Sequence, residues 1–288
     1  MKPGERTRVF EEHRPMLFGI AYRMLGSVTD AEDIVQDAWL RWNDTTTPVR
    51  EPRAYLARTV TNLSINRLRS VAVQRESYVG PWLPEPLVTT HDAADEVELA
   101  ESISMALLVV LESLSPLERA VFVLKEVFGF SYVEIGQALG RAETAVRQVG
   151  RRARSHVEAR RPRFESSPEV RRRVTEEFLN ACLGGDINRV MEMLAPDVTA
   201  WTDGGGKVRA ALRPMRGAEV VARWLVAMID QGRAAWGFRP AEINGMPGLL
   251  ITTVGGVDSV SAIDVTDGKI STIWLVRNPD KFKGVAHV

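Results

Sequence analysis

The chain has 288 residues, 45% hydrophobic and 26% charged, with 37 Lys plus Arg against 37 Asp plus Glu, the profile of an ordinary globular chain of about two domains at roughly 150 residues each. Its single cysteine, Cys182, excludes an intrachain disulfide and a Cys-cluster metal site, and fits a reducing cytoplasm. No apolar run approaches the roughly 18 residues of a membrane span, and Met1–Phe10 lacks a signal peptide's apolar core, so no membrane partner and a cytoplasmic location are expected.

Zero net charge conceals alternating blocks. Residues 1–37 sum to −2, residues 38–75 to +5, residues 76–118 to −9 and residues 141–163 to +6, whereas 166–288 are nearly balanced with 15 basic and 14 acidic groups. Modules with different electrostatic partners produce such a pattern. In chain order, TDAEDIVQDAWLRW spaces Ala31, Ile34, Val35, Ala38, Trp39 and Trp42 by three and four, which predicts a helix with Glu32, Asp33, Gln36 and Asp37 on other faces. Thr29 and Glu32 form a capping-box pattern expected to start it.

The next block, Glu51–Arg75, can turn Tyr55, Leu56, Thr59, Leu63 and Leu68 to a core while Arg53, Arg58, Asn62, Asn66, Arg67, Arg69 and Arg75 line the rest. Arginines and amides beside aromatic side chains suit phosphates and unstacked bases. A plain amphipathic helix with a wet basic face would look the same. Residues 76–94 are acidic, and Trp82-Leu83-Pro84-Glu85-Pro86 cannot be helical because prolines stand at 81, 84 and 86. They read as a linker.

Two further helix starts follow at Ser115-Pro116-Leu117-Glu118 and Ser131-Tyr132-Val133-Glu134. From Phe130 to Val157 a capped helix expected to bury Val133, Ile135 and Ala138 breaks at Leu139-Gly140. A second helix then buries Val146, Val149 and Ala153 and presents Thr144, Arg147, Gln148, Arg151, Arg152 and Arg154. This is a helix-turn-helix pattern, whose second helix fits the major groove of a duplex. A solvated basic helix in a helical bundle is the alternative. Gly150 within the second helix costs about 1 kcal/mol against Ala, and Arg141-Ala142 offers no capping side chain.

Beyond Ser167-Pro168, helices at about 168–183, 186–194 and 218–231 mix with β-prone runs: DVTAW, KVRAAL, GLLITTVGG, DSVSAIDVTDGK and ISTIWLV. Asp267-Gly268 marks a hairpin. An α+β domain with a curved antiparallel sheet is expected. Gly204, Gly205 and Gly206 permit positive φ and close backbone approach; a hairpin turn or, less specifically, a phosphate cradle would use them.

TDAEDIVQDAWLRW, PRAYLARTVTNLSINRLRS, LSPLERAVFVLKEVFGFSYVEIGQALG and the helix ending RRARSHV, in this order, closely resemble the extracytoplasmic-function sigma factors of bacterial RNA polymerase over residues 1 to about 163. WLPEP, DGGGK (Asp203 to Lys207) and NPDK (Asn278, Pro279, Asp280, Lys281) resemble the subgroup with a fused SnoaL-like C-terminal domain. The resemblance implies two all-α sigma modules, region 2 over 1–75 and region 4 over 95–165, followed by an α+β SnoaL-like cone over 166–288. It implies core RNA polymerase and promoter DNA as partners and transcription initiation as the function. Asp30, Glu32, Asp33, Gln36 and Asp37 would dock on the polymerase. Arg53, Tyr55, Arg58, Asn62, Asn66, Arg67 and Arg69 would meet the single-stranded minus-10 element, and the helix-turn-helix residues the minus-35 duplex. Trp82, Leu83 and Pro84 with the DGGGK and NPDK residues would set the relative placement of the sigma modules, so that the C-terminal domain regulates in place of a separate anti-sigma protein.

Cones of this type also house polyketide cyclases and ketosteroid isomerases, so an enzyme is the competing class. Between 168 and 283 there is no His and no Tyr, and neither Asp203 nor Asp264 has an identifiable partner for proton transfer. No catalytic residues, metal or cofactor are expected. A small ligand in a cone lined by Trp201, Trp224, Trp236 and Trp274, or a residual cyclase or isomerase activity, is the alternative. The acidic stretch with Asp92, Asp95, Glu96 and Glu98 is expected to shield the basic faces of the free chain.

Overall fold

The computed structural model describes residues 3–89, 104–160, 166–232, 234–283 and 285. Asp92, Asp95, Glu96 and Glu98 lie outside the described residues. Two compact units emerge among the described residues: one takes Pro3–Glu76 and Leu107–Arg160, the other takes Ser77–Thr89, Ser104–Ala106 and the described residues from Ser166 on. The segment read as a linker, 77–89, is thus part of the C-terminal unit.

In the first unit, α1 (Pro3–Leu25), α2 (Val28–Asn43) and α3 (Pro52–Glu76) pack around Leu17, Ile20, Ile34, Trp42, Leu56 and Val60. The periodic stripe of α2 is buried at Ala31, Ile34, Val35, Ala38 and Trp42. Its start differs from expectation: Ser27 is the N-cap, accepting from the Asp30 amide at 3.0 Å, and Thr29 sits inside the first turn. Ser27 precedes the apolar periodicity and gives the helix two more residues at its start, Val28 and Thr29, which is why the Thr29 pattern is not used.

The unit continues with α4 (Met105–Glu112), α5 (Pro116–Phe122), a π-helical turn (Val123–Val127), α6 (Tyr132–Leu139) and α7 (Glu143–Glu158). Both capping boxes form, Ser115 with Glu118 and Ser131 with Glu134. The serine hydroxyls lower the pKa of both carboxyls. Gly140 closes α6 at φ 63°, a conformation that suits glycine.

The C-terminal unit is a seven-stranded sheet in the order β1-β4-β5-β6-β7-β2-β3. Its strands are β1 (Val88–Thr89), β2 (Leu194–Asp203), β3 (Met215–Arg216), β4 (Gly237–Ile243), β5 (Met246–Thr253), β6 (Gly256–Thr266) and β7 (Lys269–Val276). Every pairing is antiparallel except β2 with β7. Register shifts in β2, between β5 and β6, and between β6 and β7 bend strands as β-bulges do. Three helices, α8 (Pro168–Gly184), α9 (Ile187–Met193) and α10 (Ala218–Gly232), share a core with the sheet through Phe178, Val190, Val198, Leu225, Ile263 and Ile273. Asp267-Gly268 makes the expected hairpin with φ 51° and 71°, and Asn244-Gly245 makes a second with φ 53° and 68°.

KVRAAL is not a strand. Gly204 O accepts from the Lys207 and Val208 amides, and the Thr202 hydroxyl exchanges hydrogen bonds with Ala211 N and O, so the backbone groups a ladder would need are taken by a turn. The four tryptophans fall into two separate groups rather than one lining. Trp224 and Trp236 pack with Met228, Phe238 and Leu249, whereas Trp201 and Trp274 stack on each other at 5.8 Å.

Candidate functional site

On α2 the acidic residues divide. Asp30 holds Arg67 at 2.6 Å and Glu32 holds Arg14 at 2.6 Å. Asp33, Gln36 and Asp37 are exposed. Leu40, one turn further along that surface, is 53% exposed, and lies off the buried stripe that periodicity reveals. An exposed apolar side chain on the same helix as exposed carboxylates is the composition of a docking face for a basic partner.

The basic residues of α3 also divide. Arg58, Asn66 and Arg69 face solvent. Tyr55 instead packs on Trp42 at 5.7 Å, with its hydroxyl 2.9 Å from Thr45 Oγ1. Arg53 donates to Phe128 O at 2.9 Å and lies 4.1 Å over the Phe130 ring. Asn62 donates to Ala138 O at 3.2 Å. Both acceptors belong to the helix-turn-helix module, so within this unit part of the α3 surface is covered by α6 and the loop before it. Behind them, buried Arg119 donates to Met24 O at 2.7 Å and pairs with Glu112, which Arg75 also meets.

The second helix of the helix-turn-helix, α7, buries Val146, Val149, Ala153 and Val157 and exposes Thr144, Arg147, Gln148, Arg151, Arg152 and Arg154. Thr144, Gln148 and Arg151 share the outward face. Arg147 is tied to Glu143 at 2.5 Å, and Arg154 turns aside to Glu126 at 2.6 Å. As expected, no side chain caps α7 at Ala142. Val133, expected in the core of α6, is 49% exposed; Ile135 is buried and Ala138 half-buried. Val133 falls in the first turn of α6. Gly150 has a structural reason: a Cβ there would lie 3.0 Å from Tyr132 Cε1 and 3.3 Å from Val121 Cγ1. A side chain at this crossing would require Tyr132 to give by a few tenths of an ångström.

In the C-terminal unit, the DGGGK and NPDK motifs converge on the segment carrying WLPEP. Asp203, fully buried at the end of β2, accepts from the Tyr78 hydroxyl at 2.6 Å, Leu83 N at 2.9 Å, Gly205 N at 3.0 Å and Lys281 Nζ at 2.6 Å. The Lys281 ammonium also donates to Leu83 O and sits 4.1 Å over Trp82 and 5.1 Å over Tyr78. Asn278 donates to the Tyr78 hydroxyl at 2.9 Å, and Lys207 pairs with Asp280 at the surface. Burial, then the bond to Asp203, pushes the Tyr78 pKa far up.

The glycines serve this contact, for a Cβ on Gly205 would lie 2.3 Å from Asn278 Nδ2 and one on Gly206 would lie 3.2 Å from Val79. Leu83, Pro84, Glu85 and Pro86 are buried. At the far end of the segment Leu87 and Asn244 exchange hydrogen bonds, and Thr89 donates to Glu242 at 2.7 Å. Tyr78 and Asn244 were not singled out from sequence; Tyr78, four residues before a recognised motif, was the findable one. Asp264 accepts from Trp274 Nε1 at 2.8 Å.

The family model for Sigma-70 region 2 matches residues 9–73 and that for Sigma-70, region 4 matches residues 104–157. The ECF RNA polymerase sigma factor SigJ of Mycobacterium tuberculosis is 40% identical, covering 96% of this chain and 92% of that protein. The probable ECF sigma factor SigI of the same organism is 30% identical, covering 95% and 93%. The crystal structure of M. tuberculosis SigJ matches with a TM-score of 0.80 at 37% identity, covering 96% of this chain and 97% of that one.

Proposed function

The chain belongs to the extracytoplasmic-function sigma factors of bacterial RNA polymerase, which direct transcription initiation, and we propose from that premise that its C-terminal domain regulates initiation in cis by holding residues 78–89. Those residues lie in the connection between region 2 and region 4. Anchoring part of a connection shortens the effective tether and raises the effective concentration of one module at the other. Breaking the anchor lengthens it and favours separation of the modules.

The observation that supports this reading most is the buried network of Asp203, Lys281, Tyr78 and Leu83. A second is that Arg53 and Asn62 of α3 are engaged by Phe128 and Ala138, contacts that α3 must give up before those side chains can meet a melted minus-10 strand. In the same reading Asp33, Gln36, Asp37 and Leu40 meet the core polymerase, Arg58, Asn66 and Arg69 make early minus-10 contacts, and Thr144, Gln148 and Arg151 read the minus-35 duplex. Run-off transcription with core polymerase tests it: full-length Lys281→Met should change output from a cognate promoter severalfold, upward if anchoring restrains the modules. Unchanged output from a folded variant would remove the regulatory role.

A further inference from the structure

A cavity of about 740 Å³ opens in the C-terminal unit between α8 and the β4–β5 hairpin, within the roughly 300–1,000 Å³ of small-molecule sites. Its lining is polarised along α8. Arg171, Arg172 and Thr175 stand in the N-terminal half of the helix, and Leu179 and Leu183 in the C-terminal half, facing Phe238 and Leu249. From Arg171 to Leu183 the helix rises about 18 Å, room for a fused-ring or medium-chain apolar body.

Two donors on residues lining the polar end lack a partner and are covered by the fold. Thr175 is 2% exposed, yet its Oγ1 has no hydrogen-bond partner among the described residues, and neither does the buried Nε of Arg171. Buried polar groups are almost always satisfied, and leaving one unmet is costly. Positions 171 and 175 are one turn apart and therefore neighbours on one helix face. The carboxylates on the wall do not answer these donors: Glu242 is engaged by Thr89, and Glu176 is exposed at the rim.

We propose that this cavity binds an amphipathic carboxylate, whose acid group draws the covered Arg171 Nε and Thr175 Oγ1 outward to meet it and whose apolar body lies against Leu179, Leu183, Phe238 and Leu249. Two donors, one of them cationic, match the two oxygens of a carboxylate, and the apolar half of the cavity accounts for the rest of the molecule. The site stands whether or not the domain regulates initiation, because binding is measured directly.

Calorimetric titration of the full-length protein with 2-naphthoate and decanoate, against 2-naphthalenemethanol and decan-1-ol, tests the assignment. At least one acid should bind saturably, about tenfold or more tighter than its alcohol, and Thr175→Val or Arg171→Gln should each weaken it by about tenfold. Thr175→Val should leave Tm unchanged or raise it, since it removes an unsatisfied hydroxyl. Saturable binding by neither acid, equal affinity for acid and alcohol, or affinity unchanged in both variants would overturn the proposal. So would a fall of several degrees in Tm for Thr175→Val, which would mean that the hydroxyl is already bonded within the fold.

Discussion

The two units use charge in opposite ways. On α7, arginines stand at the surface, and those that are paired meet exposed carboxylates such as Glu143, contacts that water and salt weaken and that a phosphate can replace. At the end of β2, Lys281 and Asp203 are 6% and 0% exposed, with every near neighbour a donor, an acceptor or an aromatic face. A buried pair contributes little net stability against an apolar substitute, but loss of one partner strands the other. Surface charge is therefore left open to an outside partner, and buried charge fixes one arrangement of residues 78–83.

The strongest way to break this contrast is to remove one member of the buried pair. Lys281→Met should destabilise the C-terminal domain by about 3–5 kcal/mol, read by chemical denaturation, and adding Asp203→Asn should recover part of the loss. Equal additive losses would mean that the two side chains do not form a unit. On the exposed side, Arg151→Ala should weaken minus-35 duplex binding by about 1–3 kcal/mol with Tm unchanged; a fall in Tm would make Arg151 structural.

Gly150→Ala, in an exposed helix, would gain about 1 kcal/mol by propensity, but the methyl would press on Tyr132 at 3.0 Å. It should therefore lower Tm, and a rise would show that the crossing has room.

The smallest effect concerns pH. Burial and Asp203 raise Tyr78 above its ordinary value of 10.0, so the folded state keeps a proton that the unfolded chain loses. This stability is fully present below about 10 and is lost as pH rises further. Cys182, pushed up to about 12 by burial, acts in the same direction, so the contribution of Tyr78 is the part of the alkaline slope that Tyr78→Phe removes. A slope identical in that variant would contradict it.

Legibility in the sequence followed the distance between partners. The α2 stripe, both capping boxes and the α7 face rest on neighbours within a few residues, and periodicity exposes them. β4 escaped notice because Arg239, Pro240 and Glu242 interrupt its alternation. KVRAAL has strand composition, but Thr202 and Gly204 take its backbone groups. WLPEP, DGGGK and NPDK could be recognised individually; their convergence could not, since Tyr78 and Asp203 are 125 residues apart. The cavity beside α8 was invisible for the same reason. Leu40 gives no signal in the periodicity because that pattern marks buried apolar residues and Leu40 is exposed.

The account turns on whether anchoring residues 78–89 keeps region 2 and region 4 together. Spin labels at Arg69→Cys and Gln148→Cys, both exposed positions of the first unit, measure that separation in the free full-length chain. The account predicts one narrow distance that becomes broader and longer in Lys281→Met. An unchanged distribution in a variant whose 78–89 segment has lost its hydrogen-exchange protection would contradict it.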